Sequence, residues 1–389
     1  MRTDFLLFHR PYIAKDEIQE VIDTLKSGWL TTGPKTKQFE KEFASYIGSK
    51  HAITVNSGTA ALHLALDAIG LKQGERVILP TMTFAATAEA VIYFRAKPVL
   101  VDCQKDTFNI DLDQVEEYLD KNPYKVKAII PVHIAGQPCE MDRVLEIAKR
   151  FNLKVIEDAA HALSAKYKER VIGRIGDIAA FSFYVTKSIT TGEGGMVTTD
   201  DNEYAEMIRK MSLHGISKDA WKRYTSEGSW YYEILRPGYK YNMTDIASAI
   251  GIHQLRKCDW FYEKRKEIAQ MYTRAFKEME EIQEPVVKPY IQHAWHLYII
   301  QLNLEKLTMD RARFIQEMKN RNIGTSVHFI PLHMHPYYRK MYGYKPEDFS
   351  GAKYVYERIV SLPIYPKMKK EDVEDVVWAV KDIVAKYRK

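Results

Sequence analysis

Cysteine is scarce in this chain: three residues in 389, Cys103, Cys139 and Cys258, far apart and without a CxxC pair. That spacing excludes a disulfide framework and a cysteine-based zinc cluster, and it fits a reducing, cytoplasmic compartment. Long apolar runs are missing too. The opening MRTDFLLFHRPYIAKDE offers only Phe5 to Phe8, too short for a signal peptide, and no later run approaches the ~20 residues of a membrane span, so a soluble protein is expected. The formal charge of +6 is spread among acidic residues and forms no basic stripe, which argues against nucleic acid and leaves a weak attraction for small anions. Repeats and low-complexity tracts are absent. What the chain does have is globular composition, 46% hydrophobic and 28% charged, enough for one large core plus a smaller lobe.

Two helices are predicted first, Lys15 to Ser27 and Lys35 to Ile47, joined by the turn WLTTGP. Short apolar runs then alternate with helical patterns. Strands are expected at 51–55, 76–79, 98–101, 126–132 and 153–157, helices at 58–69, 84–94, 112–119 and 140–151, and a further strand-like segment runs from Asp177 to Phe183. Such alternation specifies an α/β protein, a mostly parallel sheet covered by helices. Beyond it come helices at 242–255 and 260–279, strands at 295–302 and 325–329, and helices at 310–321 and 370–387. The expected division is a large domain over 1–259 and, over 260–389, a bridging helix with a small C-terminal α/β domain.

Ligands of parallel sheets bind at the carboxyl ends of the strands, and three suggestive segments fall there. In FSFYVTKSITTGEGGM, Lys187 follows an apolar strand and precedes hydroxyl residues and glycines, flanks that suit a buried, neutral and nucleophilic amine. In Asn56-Ser57-Gly58-Thr59-Ala60, a strand ends and a helix opens with small polar residues, a phosphate-binding arrangement or an ordinary helix cap. In Ile156-Glu157-Asp158-Ala159-Ala160-His161, a carboxylate at a buried strand end needs a cationic partner. Pyridoxal 5'-phosphate (PLP) answers all three, with an aldehyde for Lys187, a phosphate for Ser57-Gly58-Thr59 and Ser182, and a protonated ring nitrogen for Asp158. Phe84, at another strand end, is placed to stack on such a ring or to serve as core.

The segments NSGTAALHLAL, PTMTFAATAEA, PVHIAGQPCEMD, VIEDAAHAL, GDIAAFSFYVTKSITTGEGGM and PGYKYNMTDIASAIG resemble the signature segments of the DegT/StrS family of PLP-dependent nucleotide-sugar aminotransferases. HAWHLYII, IGTSVHF and SGWLTTGP resemble, more narrowly, members that aminate carbon 4 of a UDP-linked 4-keto sugar, including the 4-amino-4-deoxy-arabinose type. The resemblance implies the aspartate aminotransferase fold (fold type I), with a mixed, mainly parallel seven-stranded sheet and a small C-terminal domain. It implies that Lys187 bonds to the cofactor, that Asp158 keeps the ring nitrogen protonated, and that Thr59, the Ala60 amide and Ser182 hold the phosphate. Phe84 would then stack on the ring, and His161 would sit beside the ring or its 3-oxygen. Asn242 would reach the cofactor phosphate of a neighbouring subunit, the family's sites lying at a homodimer interface. A related dehydratase lineage has histidine in place of the lysine, which this chain retains.

The expected reaction moves an amino group from glutamate, by way of the pyridoxamine form of the cofactor, to a keto sugar. Amination at carbon 3 is an alternative, and a non-catalytic regulatory protein on the same fold is another. Trp29, Thr31, Tyr184, Arg236 and His328 are candidates for substrate contacts, and Lys218, Lys222 and Arg223 for the diphosphate. His333 and His335 have HxH spacing, but with an organic cofactor nearby no metal is expected.

Overall fold

The computed structural model describes residues 2–122, 125–217 and 231–389; Lys218, Lys222 and Arg223 therefore lie outside the described residues. A seven-stranded sheet forms the centre, in the order His51–Val55, Gly195–Thr199, Ile178–Ser182, Lys154–Asp158, Val126–Ile129, Arg76–Pro80, Lys97–Val101. Gly195–Thr199 runs antiparallel to both of its neighbours, and the other pairs are parallel. The sheet is thus mixed and mainly parallel. Its strands are apolar and buried almost throughout, the pattern of a sheet covered on both faces.

The predicted strand over 325–329 does not form. Within it only Ser326 makes an isolated bridge, to Ser361, and the bridge of Leu6 falls just before it, at Ile323, so no continuous ladder forms. Gly195–Thr199 goes unrecognised in the sequence because GMVTT begins in a glycine cluster that reads as a turn. Its register supplies the reason for the glycine, since a Cβ on Gly195 would lie 2.5 Å from the Ser57 carbonyl oxygen.

A separate antiparallel sheet, Ile282–Gln283, Tyr298–Leu302 and Ile359–Leu362, belongs to the C-terminal part. The helices Cys258–Phe276, Arg311–Asn320 and Lys370–Tyr387 cover it and enclose their own core, which includes Tyr272, Phe276, Tyr298, Phe314, Val376 and Val380. Leu6 joins that core, so the first residues of the chain pack with the last ones. The main core reaches back in turn to Leu297, Ile299, Val355 and Ile359. The two parts therefore share an apolar seam.

Helix Pro34–Ile47 has Gly33 as its cap residue, which carries no side chain to satisfy the first-turn amides. Asp245 substitutes from a distant segment. It is buried, and its carboxylate accepts from the amides of Gly33 (2.8 Å), Lys35 (3.0 Å) and Thr36 (2.9 Å) and from the Thr36 hydroxyl (2.6 Å). Thr244 caps its own helix, Asp245–Arg256, through the Ala247 amide. The NMTD segment thus serves two helices. Asp245→Ala, which strands several buried donors, is expected to lower the unfolding free energy by about 3 kcal/mol or more, and Asp245→Asn by less; urea denaturation followed by tryptophan fluorescence measures both.

Candidate functional site

At the carboxyl ends of the central strands lies a cavity of about 500 Å³. Ser57, Gly58, Thr59, Phe84, Asp158, His161, Ser182, Tyr184, Lys187 and His328 all line it. They arrive on several strand ends and loops, so residues spread over most of the chain meet because the sheet topology brings those ends together.

Period-two alternation along Lys154–Asp158 separates two adjacent carboxylates. Glu157 turns into the protein, where it accepts from the amides of Ile175 (2.8 Å) and Gly176 (2.9 Å) and meets His133 Nε2 at 3.2 Å. These donors outweigh its burial and hold its pKa below the usual carboxylate range. Asp158 turns into the cavity. Its Oδ2 accepts from the Thr87 hydroxyl at 2.9 Å and its Oδ1 from the Ala160 amide at 3.2 Å, with no ion pair among the described residues. Burial raises the Asp158 pKa against the opposing pull of these donors and of Lys187. A cation placed against it in the cavity would reverse that penalty.

Lys187 stands in a loop that leaves Ile178–Ser182 and returns as Gly195–Thr199. The hydroxyls expected to mark a reactive setting build the loop itself. Thr190 Oγ1 donates to the Phe183 carbonyl at 3.0 Å and accepts from the Gly192 amide at 2.9 Å, while Thr191 Oγ1 donates to the Glu193 carbonyl at 2.7 Å. Gln254 accepts the Thr190 amide at 3.3 Å and donates to Glu17 and to the Tyr12 carbonyl. So anchored, the amine is buried, and burial lowers its pKa to about 8 although Asp158 pulls the other way.

Helix Gly58–Ala68 opens towards the same cavity. Ser57 Oγ caps it by accepting the Ala60 amide at 3.1 Å, which leaves the Gly58 and Thr59 amides without an acceptor among the described residues. The Ala60 amide expected to face a phosphate is therefore already taken. Gly58 is required by close approach, because a Cβ there would lie 2.8 Å from the Ser182 Cβ. Free amides, a helix N-terminus and the hydroxyls of Thr59 and Ser182 make an anion cradle. Together with an amine and a buried, unpaired carboxylate, this donor set fits a pyridoxal ring.

His161 is held neutral by burial, and its Nδ1 accepts from the Ala135 amide at 3.3 Å, which leaves the ring proton on Nε2. The His296 ring lies against it, 4.3 Å between centroids, and Phe329 lies at 5.8 Å. His328, placed by its Nδ1 contact of 2.9 Å with Ser361 Oγ, is also neutral, with a pKa near 4 through burial. Phe84 is 62% exposed at the cavity mouth and Tyr184 45% exposed. Sequence reasoning missed Thr87, His296 and Phe329, each within or beside a segment it had singled out. Thr87 follows Phe84 by one helical turn, a spacing that could have revealed it.

Trp29, Thr31, Asn242 and Arg236 do not line the cavity. The first three gather in a second cluster, where Asn242 Nδ2 donates to Thr32 Oγ1 at 2.8 Å, Trp29 Nε1 donates to the Thr32 carbonyl, and the Thr31 carbonyl accepts the Asp245 amide. Arg236 donates to the Asp67 carboxylate at 2.6 Å. His333 is buried with its Nδ1 at 2.8 Å from Thr81 Oγ1, and among the described residues no group of three His, Cys, Asp or Glu converges. Nor is any described helix long and apolar enough to cross a membrane.

In the cofactor-free chain, labelling of Lys187 by an amine-reactive reagent is expected to rise with the neutral fraction and inflect near pH 8. Mass spectrometry of the Lys187 peptide across pH measures it. An inflection near the ordinary 10.5 would place the amine in solvent.

The family model for the DegT/DnrJ/EryC1/StrS aminotransferases matches residues 11–381. The chain is 57% identical over 388 residues to the uncharacterised protein MJ1066 of Methanocaldococcus jannaschii, covering 100% of both chains. It is 52% identical to the spore coat polysaccharide biosynthesis protein SpsC of Bacillus subtilis, covering 98% of each. Among solved structures, Spr1654 of Streptococcus pneumoniae, described as a sugar aminotransferase and solved in its PLP form, superposes with a TM-score of 0.91 at 34% identity, over 98% of this chain and 99% of that one. The chain belongs to the DegT/DnrJ/EryC1/StrS aminotransferase family and, with it, to the PLP-dependent aminotransferases.

Proposed function

We propose that the chain transfers an amino group from glutamate to carbon 4 of a UDP-linked 4-keto sugar and so supplies an amino sugar for polysaccharide biosynthesis. The observation that carries the reading is the meeting of Lys187 and Asp158 at one cavity of about 500 Å³, a size suited to a cofactor together with the reacting end of a substrate. Likeness to SpsC supports the polysaccharide destination, and the segments HAWHLYII, IGTSVHF and SGWLTTGP support carbon 4.

PLP, when bound, supplies an electron sink and carries the amino group between the two substrates. In this reading Asp158 faces the ring nitrogen and keeps it protonated, and Thr87 fixes the carboxylate in place. The Gly58 and Thr59 amides, with the hydroxyls of Thr59 and Ser182, hold the phosphate. Phe84 covers the ring, and His161, proton on Nε2, donates towards the ring or its 3-oxygen. Lys187 would hold the cofactor's aldehyde through its amine and, with that amine free, would take a proton from the donor's α-carbon and, in the reverse half, deliver one to the sugar carbon that gains the amino group. An amine whose pKa is lowered to about 8 populates both protonation states near physiological pH and can both accept and give a proton. Tyr184 and His328 meet the sugar.

A second subunit completes the site in this account. Helix Lys15–Ser27 exposes Ile18, Ile22 and Leu25 along one face, an apolar stripe suited to a homodimer contact. Asn242, with Trp29 and Thr31 beside it, would then serve the neighbour's cofactor, and Arg236 the sugar diphosphate.

Lys187→Ala is expected to abolish conversion of bound PLP to its pyridoxamine form by glutamate, and Asp158→Asn to slow it about 10²- to 10³-fold; both are read from the cofactor's absorbance. A panel of UDP- and dTDP-linked 3-keto and 4-keto sugars, scored by the mass of the amino product, tests the position. Turnover of 3-keto sugars alone would overturn carbon 4. Mixed dimers of Lys187→Ala and Asn242→Ala subunits are expected to regain part of the activity, and no recovery would contradict shared sites.

A further inference from the structure

A second and much smaller cavity borders Lys187, lined by His9 and Arg10 from the N-terminal segment, Lys187 and Ser188 from the lysine loop, and Arg265 from helix Cys258–Phe276. Three of its side chains carry buried polar atoms with no partner: Arg265 Nε, His9 Nε2 and Ser188 Oγ. Arg265 is 1% exposed. Its Nη1 donates to the carbonyls of Ile364 (2.8 Å) and His296 (3.3 Å), yet among the described residues it forms no ion pair. A buried guanidinium without a counter-charge is strongly unfavourable. The lining holds two guanidinium groups, Arg10 and Arg265, and no carboxylate.

Size narrows what can supply the missing charge. The cavity offers about 10 Å³ to the centre of a water-sized sphere, space for a small occupant such as a single ion or a water. A water molecule would satisfy hydrogen bonds and leave the guanidinium charge unopposed. We propose that this cavity is a binding site for one small monovalent anion of chloride or bromide size, held by Arg265 Nε and Ser188 Oγ. Such an ion bridges the loop that carries Lys187, through Ser188, and the helix that leads into the C-terminal part, through Arg265.

The test is made on the holoenzyme. Crystals grown in bromide are expected to show an anomalous scattering peak between Arg265 and Ser188. Chloride and bromide are expected to raise the melting temperature by a few degrees over gluconate at equal ionic strength. Arg265→Gln, which removes the charge, and Ser188→Val, which fills the cavity and leaves the guanidinium intact, are each expected to abolish the halide effect; if the first fails to fold, the second decides. Water alone in the cavity with bromide present, or equal melting temperatures in halide and gluconate, overturns the proposal.

Discussion

Two ionisable groups set against their preferred states organise this molecule: the amine of Lys187 and the carboxylate of Asp158, both buried at the same cavity. Burial pushes the first pKa down to about 8 and the second upward. Neither group gains stability from its position, since desolvation outweighs the attraction between them. A cofactor with an aldehyde and a basic ring nitrogen relieves both. The fold therefore keeps two unfavourable groups that would become favourable with PLP in the proposed arrangement.

Much of the surrounding structure keeps those groups where they are. Thr87 and the Ala160 amide fix Asp158, while next to it Glu157 is wholly absorbed by backbone amides and His133. The hydroxyls of Thr190 and Thr191 close the Lys187 loop on itself, and Gln254 links that loop to the first helix. Asp245 fastens the start of helix Pro34–Ile47 to the Asn242 segment. Loss of one such contact would move a functional group without touching it.

The alternation of apolar runs and helical patterns made the central sheet legible, and the strand His51–Val55 and the helices Lys15–Ser27 and Lys370–Tyr387 stand where the spacing places them. The cavity-lining roles of residues 57–59, 158 and 187 could be anticipated because strand ends in such sheets converge. Other features depend on long-range pairing, which local pattern does not encode. Gly195–Thr199 looks like a turn until its two neighbours are known, and 325–329 looks like a strand although its pairing is limited to the single bridge of Ser326 to Ser361. Which of Glu157 and Asp158 faces the ligand follows from strand orientation. That the Ala60 amide is taken by Ser57 follows from the geometry of one cap.

On the proposed function, Asp158 holds the ring nitrogen of PLP protonated opposite Lys187. Nitrogen-15 NMR of the enzyme loaded with ring-labelled PLP measures this directly. A protonated ring nitrogen is expected in the wild-type protein, and loss of that proton in Asp158→Asn. An unprotonated nitrogen in the wild-type protein, at a pH where it transaminates, would contradict it.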